Sequence, residues 1–170
     1  TDALVTWVDF RSVREADSEQ LRSTASFKNR TLEGVNLAGA LMTPFDLSGF
    51  NLSFADLSRT GLEGVSLANA VVNGTSFSAT TAKGFNREQL YSTHNWQVKD
   101  LSGIRLDEND LTNWDFSGQN LQRASFASST LTGASFEGAD VRFADFSSST
   151  LTGPQLYSTK SYQQRDLRGI

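Results

Sequence analysis

The chain has 170 residues, a formal net charge of −4, a pI near 4.9 and no cysteine. That length suits one ordinary domain with a buried core, and the absence of cysteine excludes disulfides and thiolate metal sites. Mild acidity argues against non-specific binding to nucleic acid or membrane surfaces, which favour basic faces, and no apolar run approaches a membrane span.

In chain order, residues 1–26 read as an N-terminal segment followed by a first excursion. Within it Val8-Asp9-Phe10-Arg11-Ser12 resembles the last pentapeptide of a preceding unit. From Phe27 a large apolar residue recurs at every fifth position: Phe27, Leu32, Leu37, Met42, Leu47, Leu52, Leu57, Leu62, Leu67, Val72 and Phe77, with Ala82 as a weak twelfth. A second series runs from Trp96 through Leu101, Leu106, Leu111, Phe116, Leu121, Phe126, Leu131, Phe136, Val141 and Phe146 to Leu151. A third begins at Tyr162 and Leu167. A period of five fits neither the 3.6 of an α-helix nor the 2 of an alternating strand. It calls for a backbone that turns a corner every five residues.

Of 13 glycines, 11 stand two residues after a central apolar residue: 34, 39, 49, 64, 74, 103, 118, 133, 138, 153 and 169. A type II turn needs positive φ at its third residue, which is where these glycines fall if the central residue opens the turn. The residue two before each centre is often small, as at Ala40, Ala55, Ala70, Ala124 and Ala139, and should point inward. The residue just before the centre is often Asp or Asn and should face out.

The segments FADLS (54–58), GADVR (138–142) and FADFS (143–147) resemble the A-(D/N)-L-x-x motif of pentapeptide-repeat proteins. The resemblance implies an all-β fold, a right-handed quadrilateral β-helix with four pentapeptides per coil. Phe45, Phe50, Trp114 and Gln119 depart from the small inward position, so their coils are expected to widen or tilt.

A longer repeat lies above the short one. EQLRSTASFKNRTLEGV (19–35), EQLYSTHNWQVKDLSGI (88–104) and QLYSTKSYQQRDLRGI (155–170) align without gaps, 69 and then 66 residues apart. The β-helix, 27–170, thus divides into super-repeats 27–95 and 96–161 and a partial third, 162–170. The arithmetic gives about six coils, roughly 29 Å of stack at about 4.8 Å each. Short helical excursions are expected near 17–26, 83–95 and 152–161, leaving from one corner of the square, with Asn86 and Glu88-Gln89 suited to a capped start. The QLYST module resembles one found in tandem in exported bacterial pentapeptide proteins. Leu167-Arg168-Gly169-Ile170 breaks off where the second unit simply continues, with no capping helix, so the natural protein is expected to be longer.

Candidate sites are few. His94, the single histidine, lacks liganding partners nearby. Asp107, Glu108, Asn109 and Asp110 make the densest acidic cluster, and Asp107, Glu108 and Asp110 are the candidate calcium ligands, although alternate residues should point to different sides. Thr130, Thr132, Thr150 and Thr152, with Thr112, form a Thr-x-Thr array of the kind seen on ice-binding β-helices; β-branched residues also favour exposed strand positions. Phe54 and Phe143 occupy outward turn positions on one side of the square. With Val71 and Tyr91 they form a candidate contact patch, unless they cover excursions or the segment Leu4–Phe10.

No Ser–His–Asp constellation or phosphate-binding loop is present, so the sequence predicts no enzyme, no cofactor and no resident metal. It points to a structural or protein-interaction scaffold, a module of a larger exported or surface protein, with a protein partner or self-association through the solenoid ends. Abundant Ser, Thr, Asn and Gly and scarce Lys fit an extracellular or cell-surface setting. The family resemblance also brings a second reading, a DNA mimic that binds type II topoisomerase. Arg59, Arg105, Arg123 and Arg142 interrupt the acidic columns that such a mimic uses.

Overall fold

The computed structural model describes residues 3–11, 18–42 and 45–170. Asp17, the expected start of the first excursion, lies outside them. The fully described pentapeptides repeat one conformation: a single residue in a parallel bridge, the central apolar residue, two turn residues and an inward residue. The central carbonyl accepts from the N–H three residues on, as in Leu32 from Val35 (3.2 Å), Leu57 from Thr60 (3.1 Å) and Phe126 from Ser129 (3.1 Å). At the described corners outside the helical excursions the second turn residue has positive φ, which makes them type II turns. Ten of the eleven glycines read as corner residues have φ of 63–74°. Gly153 does not, because it opens a helix instead.

The Asp and Asn before each centre do more than face solvent. Asp46 accepts from the N–H of Ser48 (2.9 Å), Asp56 from Ser58 (2.9 Å), Asp115 from Ser117 (2.9 Å) and Asp145 from Ser147 (2.8 Å). Each carboxylate thus closes the turn that follows it, which is why short polar side chains fill this place.

Four bridge columns define four faces. Face A carries Thr31, Asn51 and Val71, and later Asp100, Asn120 and Asp140; face C pairs Leu41 with Gly61 and Asp110 with Thr130; face D pairs Asp46 with Ser66 and Asp115 with Ser135. Face B runs unbroken through Asp9, Asn36, Asp56, Ser76, Arg105, Ser125 and Asp145. Partners stand 20 residues apart except at Asp9–Asn36 and at Ser76–Arg105, where the chain makes an excursion. Residues 3–11 therefore belong to the stack: the N–H of Trp7 donates to Glu33 (3.2 Å) and that of Phe10 to Asn36 (2.7 Å).

The excursions are helix pairs: α1 (Ser18–Ser23) and α2 (Ala25–Lys28), α3 (Arg87–Tyr91) and α4 (His94–Gln97), α5 (Gly153–Tyr157) and α6 (Lys160–Gln163), with a 3-10 turn at Thr81–Lys83. Each short helical excursion is thus two helices in succession. The second helix takes Phe27, Trp96 and Tyr162, which the five-residue count had placed as pentapeptide centres. Asn86 caps α3 in a capping box with Gln89. The threonine of each S-T pair (Thr24, Thr93, Thr159) caps the second helix by accepting from Phe27, Trp96 and Tyr162. Where these helices displace the ladder, side chains replace its acceptors: Val5, Val72 and Val141 donate their N–H to Ser26, Asn95 and Ser161.

Apart from Ala82, the weak twelfth of the first series, which is exposed on the 3-10 turn, the pentapeptide centres from Leu32 to Phe77 and from Leu101 to Val141 make one continuous core, each almost fully buried. Its upper part is stacked phenylalanine, with Phe116 over Phe136 (5.4 Å, 12°) and Phe126 over Phe146 (5.1 Å, 4°). The bulky inward residues sit where helix pairs meet the square. Phe45 and Phe50 pack on Phe27 (5.6 and 4.9 Å), and Trp114 on Phe85 (5.7 Å) and Tyr91 (6.3 Å). The excursion supplies the space that a regular corner lacks. Smaller polar inward residues bond to the coil below, as Thr60 to Leu37 O (2.8 Å) and Thr75 to Leu52 O (2.7 Å).

Candidate functional site

The corner between faces A and B carries Trp7, Phe54 and Phe143 at the positive-φ turn position. Their φ values are 60° in each case, a region that disfavours bulky L-residues by about 1–2 kcal/mol. Glycine makes the stacking possible. Phe54 lies across Gly74, Trp7 across Gly34 and Phe143 across Gly169, where an added Cβ would stand within 2.4–2.7 Å of the ring. The rings stay open to solvent, with Trp7 68%, Phe54 57% and Phe143 44% exposed. Trp7 and Phe54 are nearly parallel, 6.3 Å apart, and Arg123 and Arg168 flank Phe143 at 5.7 and 5.9 Å. Sequence reasoning found Phe54 and Phe143 but missed Trp7; the available signal was Val8-Asp9-Phe10, which places Trp7 two residues before a bridge.

The other expected patch members lie apart from this ridge. Val71 is a half-buried bridge residue of face A. Tyr91 packs inward instead of projecting: its ring stacks on Trp96 at 3.9 Å and its hydroxyl accepts from the N–H of Asp115 at 2.7 Å. Burial pushes its phenol pKa up.

The acidic cluster is dispersed. Asp107 turns onto face B, where it accepts from Ser78, Ser125, Arg105 and the N–H of Ala127. Glu108 stands at the next corner, 3.5 Å from Arg59. Asn109 points inside and holds Thr80, Thr81 and Phe77. Asp110 lies on face C and closes the turn at Thr112. Bridge, inward and corner residues point in different directions, so Asp107, Glu108 and Asp110 do not converge on one ion. Among the described residues no group of three or more His, Cys, Asp or Glu could hold a metal.

The threonines do not form a flat array. Thr130 bridges Asp110, but the Thr150 hydroxyl accepts from the N–H of Leu131 (2.7 Å) and Thr152 caps α5. Thr112 donates its hydroxyl to Asp110 (2.5 Å), and Thr132 sits on the turn beside Thr130. His94 is exposed at the start of α4.

Beside the ridge, face B holds a cleft of about 530 Å³ between Phe54 and Asp145, with Arg105 and Asp107 at its centre. It is not legible in the local sequence, because its walls come from five successive coils and its shape depends on which of their residues are small.

Among curated proteins none matches this chain. Solved structures that it resembles include HetL, a pentapeptide repeat protein involved in heterocyst differentiation regulation from the cyanobacterium Nostoc sp. strain PCC 7120, at 20% identity and a TM-score of 0.26. That likeness covers 96% of this chain and 57% of HetL, so the chain spans less than two thirds of that relative. It also resembles QnrB1, a plasmid-mediated fluoroquinolone resistance protein, at 12% identity and a TM-score of 0.30, covering 100% of this chain and 86% of that one. A third is the pentapeptide repeat protein Rfr23 from the cyanobacterium Cyanothece 51142, at 20% identity and a TM-score of 0.26, covering 85% and 97%. The family described as pentapeptide repeats matches residues 46–81, 100–138 and 115–153 in 8 copies. With more than half its length so matched, and the five-residue turn repeated at the described corners outside the helix pairs, the chain belongs to the pentapeptide-repeat family and forms a right-handed β-helix.

Proposed function

We propose that the chain is a non-enzymatic interaction scaffold, about six coils built from super-repeats 27–95 and 96–161 and a partial third, 162–170. It holds the Trp7–Phe54–Phe143 corner against a protein partner. One observation carries this reading: three exposed aromatic rings stand on one corner, at a backbone conformation that glycine would adopt with less strain. Exposed, strained side chains that add little to the core are the residues expected to act on something outside it. Most of the described aspartates support a non-catalytic role, since they close turns or pair with arginine, and His94 has no liganding or proton-transfer partner among the described residues. The Ser-, Thr- and Asn-rich surface suits a module of an exported or surface protein.

The test replaces Trp7, Phe54 and Phe143 by glycine together and compares capture of partners from an extract of the source organism. A defined partner retained by the natural chain and lost by the triple variant, with the fold intact by circular dichroism, supports the reading. Equal capture by both sinks it.

A further inference from the structure

The face B cleft lies beside the aromatic corner and is chemically unlike it. Small residues, Gly74, Ser76 and Ser78 on one side and Ser125 and Ala127 on the other, flank the coil that carries Arg105 and Asp107. Phe54 closes one end, its ring flat across Gly74.

At the centre is a carboxylate held in place from several sides. The Asp107 side chain is only 10% exposed and receives Ser78 Oγ (2.9 Å), Ser125 Oγ and the N–H of Ala127 (3.2 Å). It fixes Arg105 through Nε at 3.3 Å, while the Arg105 side chain remains 62% exposed. Both terminal nitrogens of that guanidinium lack a bonding partner among the described residues. A preorganised donor fork therefore faces the cleft.

The charges select the ligand. Arg105 pairs with Asp107 and Arg59 with Glu108 (3.5 Å), while Asp56 and Asp145 at opposite ends form no ion pair among the described residues, Arg11 acting on Asp56 only through space. An anion would meet those two carboxylates, and a cation would meet two guanidinium groups. A neutral polyol meets neither obstacle. Its hydroxyls both donate and accept, matching arginine donors, carboxylate acceptors and serines that do either. The apolar C–H face of a pyranose also suits an open aromatic ring beside a polar lining.

We propose that this cleft binds a neutral saccharide, with Phe54 as its platform, Arg105 as principal donor and Asp56 and Asp145 as acceptors. This goes beyond the scaffold reading, which needs only the exposed corner.

The test titrates the full chain with a panel of neutral hexasaccharides (cellohexaose, chitohexaose, laminarihexaose and mannohexaose) by calorimetry and by NMR. At least one should bind with a dissociation constant of about 1 mM or tighter. Ala127→Leu fills the floor without removing a side-chain hydrogen bond, and Arg105→Gln removes the donor fork. Each should weaken binding by at least about tenfold with little change in unfolding temperature. The proposal is overturned if no panel member binds at that level, if Ala127→Leu binds as the natural chain does, or if uronate or sulfated oligosaccharides bind more tightly than neutral ones. Partner capture should survive Ala127→Leu, so failure of the saccharide site and failure of the corner are read separately.

Discussion

Gln155 occupies in the third helix pair the place that Gln89 occupies in the second. Gln89 Nε2 donates to the carbonyls of Leu62 and Val65, both at 2.7 Å, while its Oε1 accepts from the N–H of Asn86 at 2.9 Å. Gln155 Nε2 donates to Leu131 (2.7 Å) and Ala134 (2.8 Å), and its Oε1 accepts from Thr152 at 2.8 Å. One amide thus satisfies two carbonyls of the coil below and caps its own helix. Gln89→Leu keeps the volume but strands the Val65 carbonyl and leaves the Leu62 carbonyl only the turn bond from Val65 N–H, so urea unfolding should show a loss of about 1–3 kcal/mol. Gln155→Leu should cost less, because that amide is only part-buried. Equal and negligible losses would contradict this role.

Corner conformation gives a prediction of opposite signs at one structural position. Ala79 sits at φ 55° and Gly74 at φ 63°. Ala79→Gly should stabilise the chain by roughly 0.5–1 kcal/mol, relief of left-handed strain less the added flexibility of glycine. Gly74→Ala should destabilise it by more than about 1 kcal/mol, because strain is joined by a clash with the Phe54 ring at 2.7 Å. Thermal unfolding of the two variants should shift in opposite directions.

The corner rule was legible because one conformation repeats at every fifth residue, so central residues and corner glycines reinforce one another. Three features escaped it. Gly153 fits the spacing yet begins α5, since Pro154 at the first turn and Gln155 in the capping box favour a helix there. Trp96 and Tyr162 fit the apolar count yet lie on helices, because the threonine three residues earlier caps a turn that the count ignores. The face B cleft depends on residues 18 and 29 apart, and no local pattern records that Ser78, Asp107 and Ser125 meet. Phe54 and Phe143 were visible because their corner places them outward whatever the rest of the coil does.

Asp140 gives the fold an acid sensitivity. The Arg142 guanidinium bonds both its oxygens (2.9 and 2.6 Å) and holds its carboxyl below the usual range, with help from the backbone of Arg142 and from Ser161. A carboxyl depressed in the folded state contributes stability above its unfolded pKa of about 3.9, and loses it as pH falls through the lower folded value. Asp46, Asp110 and Asp145 are also lowered, first by side-chain hydrogen bonds from Ser48, Thr112 and Ser147. Stability should therefore be flat near neutrality and fall below about pH 4. Asp140→Asn should lower the neutral plateau by about 1–2 kcal/mol and make the acid fall shallower. Urea midpoints measured from pH 7 to pH 3 check both; an unchanged slope in the variant would remove Asp140 from the account.

A DNA-like rod needs carboxylates in a column at regular spacing, facing solvent and unneutralised. Face B, the longest ladder, instead alternates acid with Asn, Ser and Arg: Asp9, Asn36, Asp56, Ser76, Arg105, Ser125, Asp145. Asp9 is paired with Arg11 at 2.7 Å, and on the neighbouring corner Arg142 bridges Asp140 and Asp166 at 2.6 and 3.5 Å. A surface so neutralised offers little field to a DNA-binding groove, and what remains is screened beyond about 10 Å at 0.1 M salt. Gyrase supercoiling followed on topoisomer gels should be unaffected by the chain at low salt and at physiological salt alike. Inhibition at low salt that fades as salt rises would overturn this and favour a DNA-mimicking partner for the same rod.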